Sequence, residues 1–444
     1  MLDRGFALLY EATVNDRVLD FEQALTEVLR HASGVSRPAK APQPIALNNT
    51  LRRVLAEPVR AERDQPPFRR STRDGYAVRS ADIAAGRDLR VLGSVRAGDR
   101  WRGDALRDGE AVEIMTGAPV PDGSDAVLMV EHTLTGADEL LRAAPGRLRA
   151  APGRMLAAGE NIVPRGAEAR KGAEVIPAGR VVGAAEVALA AACGRSHLEV
   201  FERPKVAIIA TGDELVELDA VPEPWQIRNS NGHALQALVD EEGGFGERLQ
   251  IARDNREDLI ERISRGTMAD LLILSGGVSM GKYDFVEQVL LEFGAEFFFT
   301  GAQIKPGKPV VFGRVPKRIA VPREDEPPWT GAWTCFFGLP GNPVSTEVCF
   351  RLFVAPMLRA LCGRTEIAPR FIEARLAADV NCGMRVTRFL PAIVESDWKQ
   401  VSVRPVPWQG SGDLAANARA NAFVVLPGGV QSFAAGESMR VLLR

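Results

Sequence analysis

A glycine-rich turn between an apolar run and a helical pattern carries the clearest chemical signal in the sequence. The residues 271–274 predict a buried strand, and apolar spacing after Asp284 predicts a helix. Small and hydroxyl residues fill the turn between them: Ser275, Gly276, Gly277, Ser279 and Gly281. Such a turn presents backbone N–H groups to a phosphate, and the helix start favours its negative charge. The alternative is a tight strand-to-helix turn without a ligand.

Two common nucleotide-binding motifs are absent from the sequence, and this indicates which phosphate ligands the turn could bind. The sequence contains neither a Walker lysine motif nor G-x-G-x-x-G, so a mononucleotide or another phosphoester is favoured over a P-loop nucleotide.

Further polar segments follow other predicted strands and are expected at the same edge of a doubly wound sheet, where ligands bind. The first follows the strand 205–210 and contains Thr211, Gly212, Asp213 and Glu214. The second is a rigid Lys-Pro-Gly-Lys turn with Lys305 and Lys308, which suits a phosphate or another oxyanion. The third enters a helix through Pro340, Gly341, Asn342 and Pro343. Capped turns and ordinary surface lysines are the alternatives.

Elements that position these residues follow from the alternation of strand and helix after Lys205. The predicted strands are 205–210, 248–252, 270–274, 296–299, 309–312 and 334–337. The predicted helices are 231–242, 256–265, 284–293 and 344–361. This pattern predicts a doubly wound α/β domain with a mostly parallel sheet. The polar, proline-rich stretch 315–332 is interpreted as an exposed loop or insertion.

Outside this region the pattern predicts a multidomain chain that combines α/β and β architecture. Helices are expected at 21–32, 50–56 and 184–192, and short alternating strands at 68–155 and after Pro369. The predicted organisation is an extension at 1–20, an elongated helical N-terminal domain at 21–65 and 156–200, an inserted β-domain at 66–155, an α/β domain at 201–366 and a C-terminal β-domain at 367–444.

Composition argues against several classes of protein. The 444 residues include 55 Lys and Arg against 57 Asp and Glu, without a basic run, so nucleic-acid binding is not expected. No stretch of about 18 apolar residues is present, so no membrane association is expected. The five cysteines are scattered, which favours free thiols in the cytoplasm. The four histidines lack zinc-ligand spacing.

Combined motifs identify a family. The chain resembles the molybdopterin molybdenumtransferases, which include bacterial MoeA and the gephyrin E-domain. The resemblance covers nearly everything after residue 20 and rests on 74–78, 115–121, 204–214, 275–281, 305–309 and 338–343, in family order. It implies transfer of molybdenum from molybdate to adenylylated molybdopterin, release of AMP, and assistance by Mg²⁺. The α/β domain is then the molybdopterin-binding domain.

The resemblance also implies roles for individual residues. Asp74, Thr116, Glu186 and Asp284 match catalytic positions, whereas turn residues alone would be interpreted as structural more often than not. Asn229, Ser230 and Asn231 join the turns above as substrate-binding residues, and Asp284 and Glu214 as metal ligands. A homodimer is implied, with the β-insertion of one subunit completing the other's site. Molybdopterin adenylyltransferase and proteins of molybdoenzyme maturation are the expected partners.

Departures from the family pattern leave alternatives open. Asn229 stands where an aspartate is common, and Glu168 where the usual acid is one methylene shorter. A catalytically weakened binding paralogue is therefore one alternative, and a molybdopterin adenylyltransferase or a scaffold protein are others. The sequence does not distinguish molybdate from tungstate as the natural substrate, and it does not identify the enzymes that receive the cofactor.

Overall fold

The computed structural model describes residues 17–35, 42–134, 147–277, 285–318, 329–383 and 385–444. The central sheet runs from edge to edge through the strands Phe245–Arg248, Lys205–Ala210, Leu271–Ser275, Trp329–Leu339, Val311–Arg318 and Glu296–Phe299. Val311–Arg318 is antiparallel to both of its neighbours, while the preceding strands in this order pair in parallel. The predicted doubly wound, mostly parallel sheet is confirmed.

Helices cover both faces of this sheet because alternate strand residues point to opposite sides. Val206 and Ile208 pack with helix Ser230–Glu241 and with the segment that follows Asn342. Ala207 and Ile209 pack with helices Arg256–Gly266 and Phe285–Glu292 on the other face. The segment after Asn342 comprises α-helix Pro343–Cys349, π-helical Phe350–Val354 and α-helix Ala355–Leu361.

The insertion and the N-terminal region contain smaller sheets. The insertion sheet follows the order Ala126–Met129, Gly75–Val78, Glu110–Ile114, Leu89–Val95 and Arg147–Leu148. Antiparallel ribbons join Gln43–Ala46 to His197–Val200, Val59–Arg60 to Glu174–Ile176, and Arg70–Ser71 to Ile162–Val163. The helices here are Phe21–Ser33, Ser80–Ala84 and Ala184–Ala192, with 3-10 turns at Leu47–Asn49 and Val130–His132. Val18–Leu19 pairs with Gly301–Ala302 of the central region.

The C-terminal strands form a closed sheet. Their order is Thr387–Ser396, Val401–Pro405, Phe371–Leu376, Ser438–Leu443 and Ala422–Leu426, and the last pairs again with the first. Ile304–Lys305, from the central region, joins the sheet in parallel beside Thr387 and Arg388. The remaining elements are helix Leu414–Arg419 and the ribbons Val380–Asn381 with Ser432–Phe433 and Leu215–Val216 with Ile227–Arg228.

Several predicted elements differ from the structure. The predicted helix 50–56 is wrong, because Val54 and Leu55 form isolated bridges to Val181 and Val200 instead. The strand predicted at 248–252 lies at Phe245–Arg248. Much of the predicted loop 315–332 belongs to the hairpin of Val311–Arg318 and Trp329–Leu339, and residues 319–328 lie outside the described part.

A buried ion cluster joins helix Ser230–Glu241 to the end of the central region. The carboxylate of Glu242 lies 2.5 Å from Arg359 and 3.1 Å from Arg364. Burial alone would raise the pKa of Glu242, but these guanidinium groups outweigh it and hold that pKa below its ordinary value. Arg359 also donates to the carbonyl of Ala368, in the linker to the C-terminal strands.

Replacing Glu242 by Ala should therefore lower the free energy of unfolding by about 3–5 kcal/mol, because two buried guanidinium groups lose their partner. Urea unfolding followed by tryptophan fluorescence measures this loss. The control is Glu366→Ala, since Glu366 is 80% exposed and 3.9 Å from Arg180; its effect should stay below about 1 kcal/mol. Equal stability of the two variants would contradict a central role for Glu242.

Candidate active site

A cleft of about 770 Å³ opens at the carboxyl edge of the central sheet. It collects the strand ends that the sequence predicts to converge. The predicted residues that line it are Thr211, Gly212, Glu214, Asn229, Ser230, Asn231, Ser275, Gly276, Gly277, Gly341, Asn342 and Pro343. Parallel strands bring these segments together because their carboxyl ends meet at one edge.

The glycine turn requires glycine at both described positions. Gly276 and Gly277 have φ angles of +91° and +63°. A Cβ on Gly276 would lie 2.6 Å from the carbonyl oxygen of Thr211, and one on Gly277 would lie 2.7 Å from its hydroxyl. Any side chain would therefore collide with the neighbouring strand end, and the turn keeps its backbone close to the cleft.

Asparagine side chains tie the segments of the cleft together. Asn231 Nδ2 donates to Ser275 Oγ at 3.0 Å and to the carbonyl of Gly341 at 2.7 Å. Asn229 Oδ1 accepts the N–H of Gly232 at 2.9 Å and so caps helix Ser230–Glu241. Asparagine caps a helix as well as aspartate does, so the unusual residue is compatible with the local fold.

Carboxylates line one side of this cleft. Glu214 lies over Gly212, and Asp254 enters from the neighbouring strand end, where its N–H donates to Asp213 Oδ1 at 3.3 Å. Burial raises the pKa of Asp254 above its ordinary value. Within the described ranges, no three His, Cys, Asp or Glu side chains are grouped closely enough to hold a metal ion by themselves.

A second cavity, of about 890 Å³, adjoins the first and is lined by cations, whereas the first contains the carboxylates of Glu214 and Asp254 together with Arg228. Lys305, Lys308 and Arg388 line it, and the described residues of its wall include no carboxylate. Lys305 and Arg388 are direct partners in the parallel pair that links the central region to the C-terminal sheet. The C-terminal region adds Trp408, which is partly buried, and Ser411.

The wall between the cavities is built from both regions. Asn342 lines both cavities. Its neighbour Gly341 lies on the first side and Pro340 on the second, while Gly412 lies on the first side and Ser411 on the second. A ligand long enough to pass Asn342 can therefore occupy both cavities.

The residues of the insertion predicted to be catalytic lie together. Asp74 Oδ1 accepts the N–H of Thr116 at 2.6 Å and its hydroxyl at 2.8 Å. These bonds hold the pKa of Asp74 below its ordinary value. Neither residue lines the two cavities of its own chain.

Glu186, the remaining described candidate, occupies a structural position. Its carboxylate accepts the N–H of Gly183 at the start of helix Ala184–Ala192 and binds Arg180, both at 3.0 Å. It does not line either cavity.

Some predicted residues lie outside the described part of the chain, and others were missed. Ser279, Gly281 and Asp284 belong to the range 278–284, which the structure does not describe. Sequence reasoning missed Asp254, Arg388, Trp408 and Ser411, which line the cavities. Asp254 follows the predicted strand 248–252, and this position was the available signal. The other three residues carry no local signal, because the packing of the C-terminal region against the central region brings them to the site.

The fold defines a multidomain α/β protein with two adjoining cavities at the carboxyl edge of its central sheet. Family models match in order: the MoeA N-terminal region (domain I and II) at 19–194, a probable molybdopterin binding domain at 207–360, and the MoeA C-terminal region (domain IV) at 373–443. The molybdopterin molybdenumtransferase of Staphylococcus aureus is 33% identical over 90% of both chains. That of a Nostoc species is 34% identical over 88% of this chain and 86% of the relative.

Solved structures agree with these matches. A molybdopterin biosynthesis MoeA protein from Pyrococcus horikoshii aligns with a TM-score of 0.68 and 30% identity, over 96% of this chain and 99% of that one. The chain belongs to the molybdopterin molybdenumtransferase family, which confirms the resemblance seen in its motifs. It is a transferase of molybdenum cofactor biosynthesis that inserts molybdenum.

Thr116→Val should raise the pKa of Asp74 towards its ordinary value, because the valine removes one of the two donors to Oδ1. A depressed pKa contributes stability above the unfolded value that is lost as pH falls through the folded value, so the variant should lose less stability in acid. NMR titration of the carboxyl carbon measures the pKa. Thr133→Val is the control, since the Thr133 hydroxyl donates to the Val130 carbonyl. An unchanged Asp74 pKa would contradict this assignment.

Proposed function

We propose that the chain takes molybdenum from molybdate, places it on the dithiolene of adenylylated molybdopterin and releases AMP. The observation that carries this proposal is a pair of adjoining cavities with Asn342 in their common wall, one with a glycine turn and carboxylates and the other lined by three cationic side chains. A substrate that joins a nucleoside phosphate to a second anionic group needs such a pair of sites.

The first cleft, called the glycine cleft after Gly276 and Gly277, is assigned to the adenylyl part of the substrate. Gly276 and Gly277 bring backbone close to the cleft, which suits a phosphate. Leu215 and Ile227 line the same cleft and supply apolar surface for a nucleoside. By family resemblance, Ser279, Gly281 and Asp213 belong to the same binding surface.

The second cavity, called the cationic cavity because lysine and arginine side chains line it, is assigned to molybdate. A tetrahedral oxyanion needs several donors around it, and Lys305, Lys308 and Arg388 provide charge-assisted hydrogen bonds. Hydroxyl groups of Ser345 and Ser411 lie in the same wall. A single oxyanion fills only part of the cavity, so there is room beside it for the molybdopterin end of the substrate. The same donors accept tungstate, and the geometry does not separate the two.

Mg²⁺ fits the carboxylate side of the glycine cleft. Protein sites for Mg²⁺ often use one or two carboxylates and complete the shell with substrate phosphates and water. Glu214 and Asp254 offer such carboxylates, and the family pattern adds Asp284. A bound cation neutralises phosphate charge beside these acidic groups. In its absence the same side chains repel the substrate.

We further propose a homodimer in which each insertion completes the site of the partner subunit. Asp74 and Thr116 are hydrogen-bonded to each other but line neither cavity of their own chain, which supports a role across an interface. Glu186 is assigned a catalytic role by resemblance alone, since its hydrogen bonds account for it as a helix cap.

The remaining proposals concern context. We place the protein in the cytoplasm, because its five cysteines are free thiols. None of the helices in the described part of the chain is long and apolar enough to span a membrane. Exchange of substrate with a molybdopterin adenylyltransferase, and of product with proteins of molybdoenzyme maturation, follows from the proposed reaction.

Molybdate-dependent release of AMP from adenylylated molybdopterin tests the reaction. Release with molybdate and Mg²⁺, and not without molybdate, is the expected result. Binding of the substrate without release of AMP would favour the catalytically weakened paralogue, the alternative suggested by Asn229 in place of the usual aspartate. Formation of adenylylated molybdopterin from ATP, without molybdenum insertion, would favour the adenylyltransferase.

In the same assay, Lys305→Ala and Lys308→Ala should each raise the KM for molybdate. Loss of a hydrogen bond to a charged group costs about 1.5–3 kcal/mol, or roughly ten- to a hundredfold in affinity. Lys205→Ala is the control, because Lys205 is exposed at the start of its strand, on the opposite edge of the sheet. A wild-type KM for molybdate in both variants would contradict a role of the two lysines in molybdate binding.

Mixed dimers test the shared site. At a molybdate concentration well below the raised KM of Lys308→Ala, neither Asp74→Ala nor Lys308→Ala should be active alone. After random mixing they should regain about a quarter of wild-type activity, because half of the dimers then contain one intact site. Mixing Asp74→Ala with Thr116→Ala should restore nothing, since both changes affect the insertion. No recovery in the first mixture would place each site within a single chain.

A further inference from the structure

The C-terminal wall of the cationic cavity is a short ordered loop. Trp408, Gly410 and Ser411 line the cavity from this loop, which leads into helix Leu414–Arg419. Asp413 organises it: its carboxylate accepts the N–H of Gln409 at 3.0 Å and of Ala416 at 2.9 Å. The loop therefore holds its own shape, and its placement against the central region is a separate matter.

One backbone hydrogen bond joins this loop directly to the site turn. The N–H of Val344 donates to the carbonyl of Ser411 at 3.0 Å. Val344 lies in the first turn of helix Pro343–Cys349, where N–H groups lack partners within the helix. Asn342 occupies the N-cap position, but its side chain makes no capping hydrogen bond. The C-terminal loop thus caps the helix and leaves the Asn342 amide to the wall between the cavities.

Glu347, on the same helix, provides the charged attachment. Its Oε2 accepts Asn417 Nδ2 at 2.7 Å and Arg444 Nη2 at 2.9 Å, and its Oε1 accepts Arg351 Nε at 2.9 Å. Only 15% of the Glu347 side chain is exposed. Asn417 lies on the helix that follows the loop, and Arg444 follows the last strand of the C-terminal sheet.

Glu347 is the carboxylate that Asn417 and Arg444 share. Among the described residues, no other carboxylate accepts a hydrogen bond from Asn417 or Arg444. Arg444 also donates to the carbonyls of Asn417 and Ala420, so it binds the helix end and the carboxylate together. Partly buried charge-assisted hydrogen bonds of this kind lose much of their value when one partner is removed.

We propose that Glu347 is a positioning residue that sets the Trp408–Ser411 wall against Lys305 and Lys308, and thereby sets molybdate affinity. This inference rests on the proposed function for its ligand, although the attachment itself does not. Glu347 does not line the cavity, and among the described residues Asn417, Arg444 and the Ser411–Val344 hydrogen bond connect its helix to the C-terminal wall. The glycine cleft depends on it less, because strand ends of the central region supply its phosphate-binding turn and the C-terminal region adds Gly412 and Leu414 at its side.

The test compares Glu347→Gln with wild type in two measurements. The amide keeps the volume of the side chain but loses its charge, and its new donor faces either Arg351 or the pair Asn417 and Arg444. Hydrogen exchange at the Val344 amide should become about tenfold faster, and the calorimetric Kd for molybdate should rise about tenfold. The Kd for AMP should change less than about twofold, a split that a general loss of stability would not produce.

Matched variants separate the outcomes. Glu241→Gln is the control, because Glu241 binds Arg351 at 3.4 Å but neither Asn417 nor Arg444, and it should leave all three values unchanged. Asn417→Ala should reproduce the Glu347→Gln pattern, and the double variant should be no worse than either single one. If Glu347→Gln does not fold, Asn417→Ala decides alone.

Some results would overturn the inference. Unchanged exchange at Val344 would remove the attachment, whatever the ligand. Faster exchange with an unchanged molybdate Kd would remove the link to the site, as would equal weakening of molybdate and AMP. Wild-type protein that binds AMP but no molybdate would refute the proposed function instead, and the exchange measurement would still decide whether Glu347 holds the loop.

Discussion

The parallel pairing of Ile304–Lys305 with Thr387–Arg388 is the contact on which the arrangement of the site depends. It joins a turn of the central region to the closed C-terminal sheet through backbone hydrogen bonds, whose register fixes Lys305 beside Arg388. Without it, the cavity would keep its lysines but lose the neighbouring Arg388. A backbone pairing suits this task because it specifies distance and direction together.

The two cavities that meet at Asn342 differ in their charged side chains. Acidic groups such as Glu214 and Asp254 lie on the side of the glycine turn, whereas the neighbouring cavity is lined by cations. A phosphate beside carboxylates requires a bridging cation, while an oxyanion among cations does not. Placing the two environments on opposite sides of Asn342 lets one elongated substrate meet both.

Three segments of the chain fold differently from what their local patterns predict. Apolar spacing at 50–56 fits a helix, yet Val54 and Leu55 bridge to distant strands, because tertiary pairing outweighs weak local propensity. The strand predicted at 248–252 was displaced to Phe245–Arg248, since a short apolar run sets a strand's existence better than its ends. Composition marked 315–332 as a loop, but a hairpin continues into it from both sides.

The doubly wound sheet, its glycine turn and most residues of the first cleft were predictable from local sequence patterns. These follow from local signals: apolar periods, turn residues and strand ends that topology brings to one edge. Tertiary contacts alone bring Arg388, Trp408 and Ser411 to the cavity that Lys305 and Lys308 line. They lie about eighty or more residues from those lysines in sequence, and docking of one sheet on another leaves no local pattern.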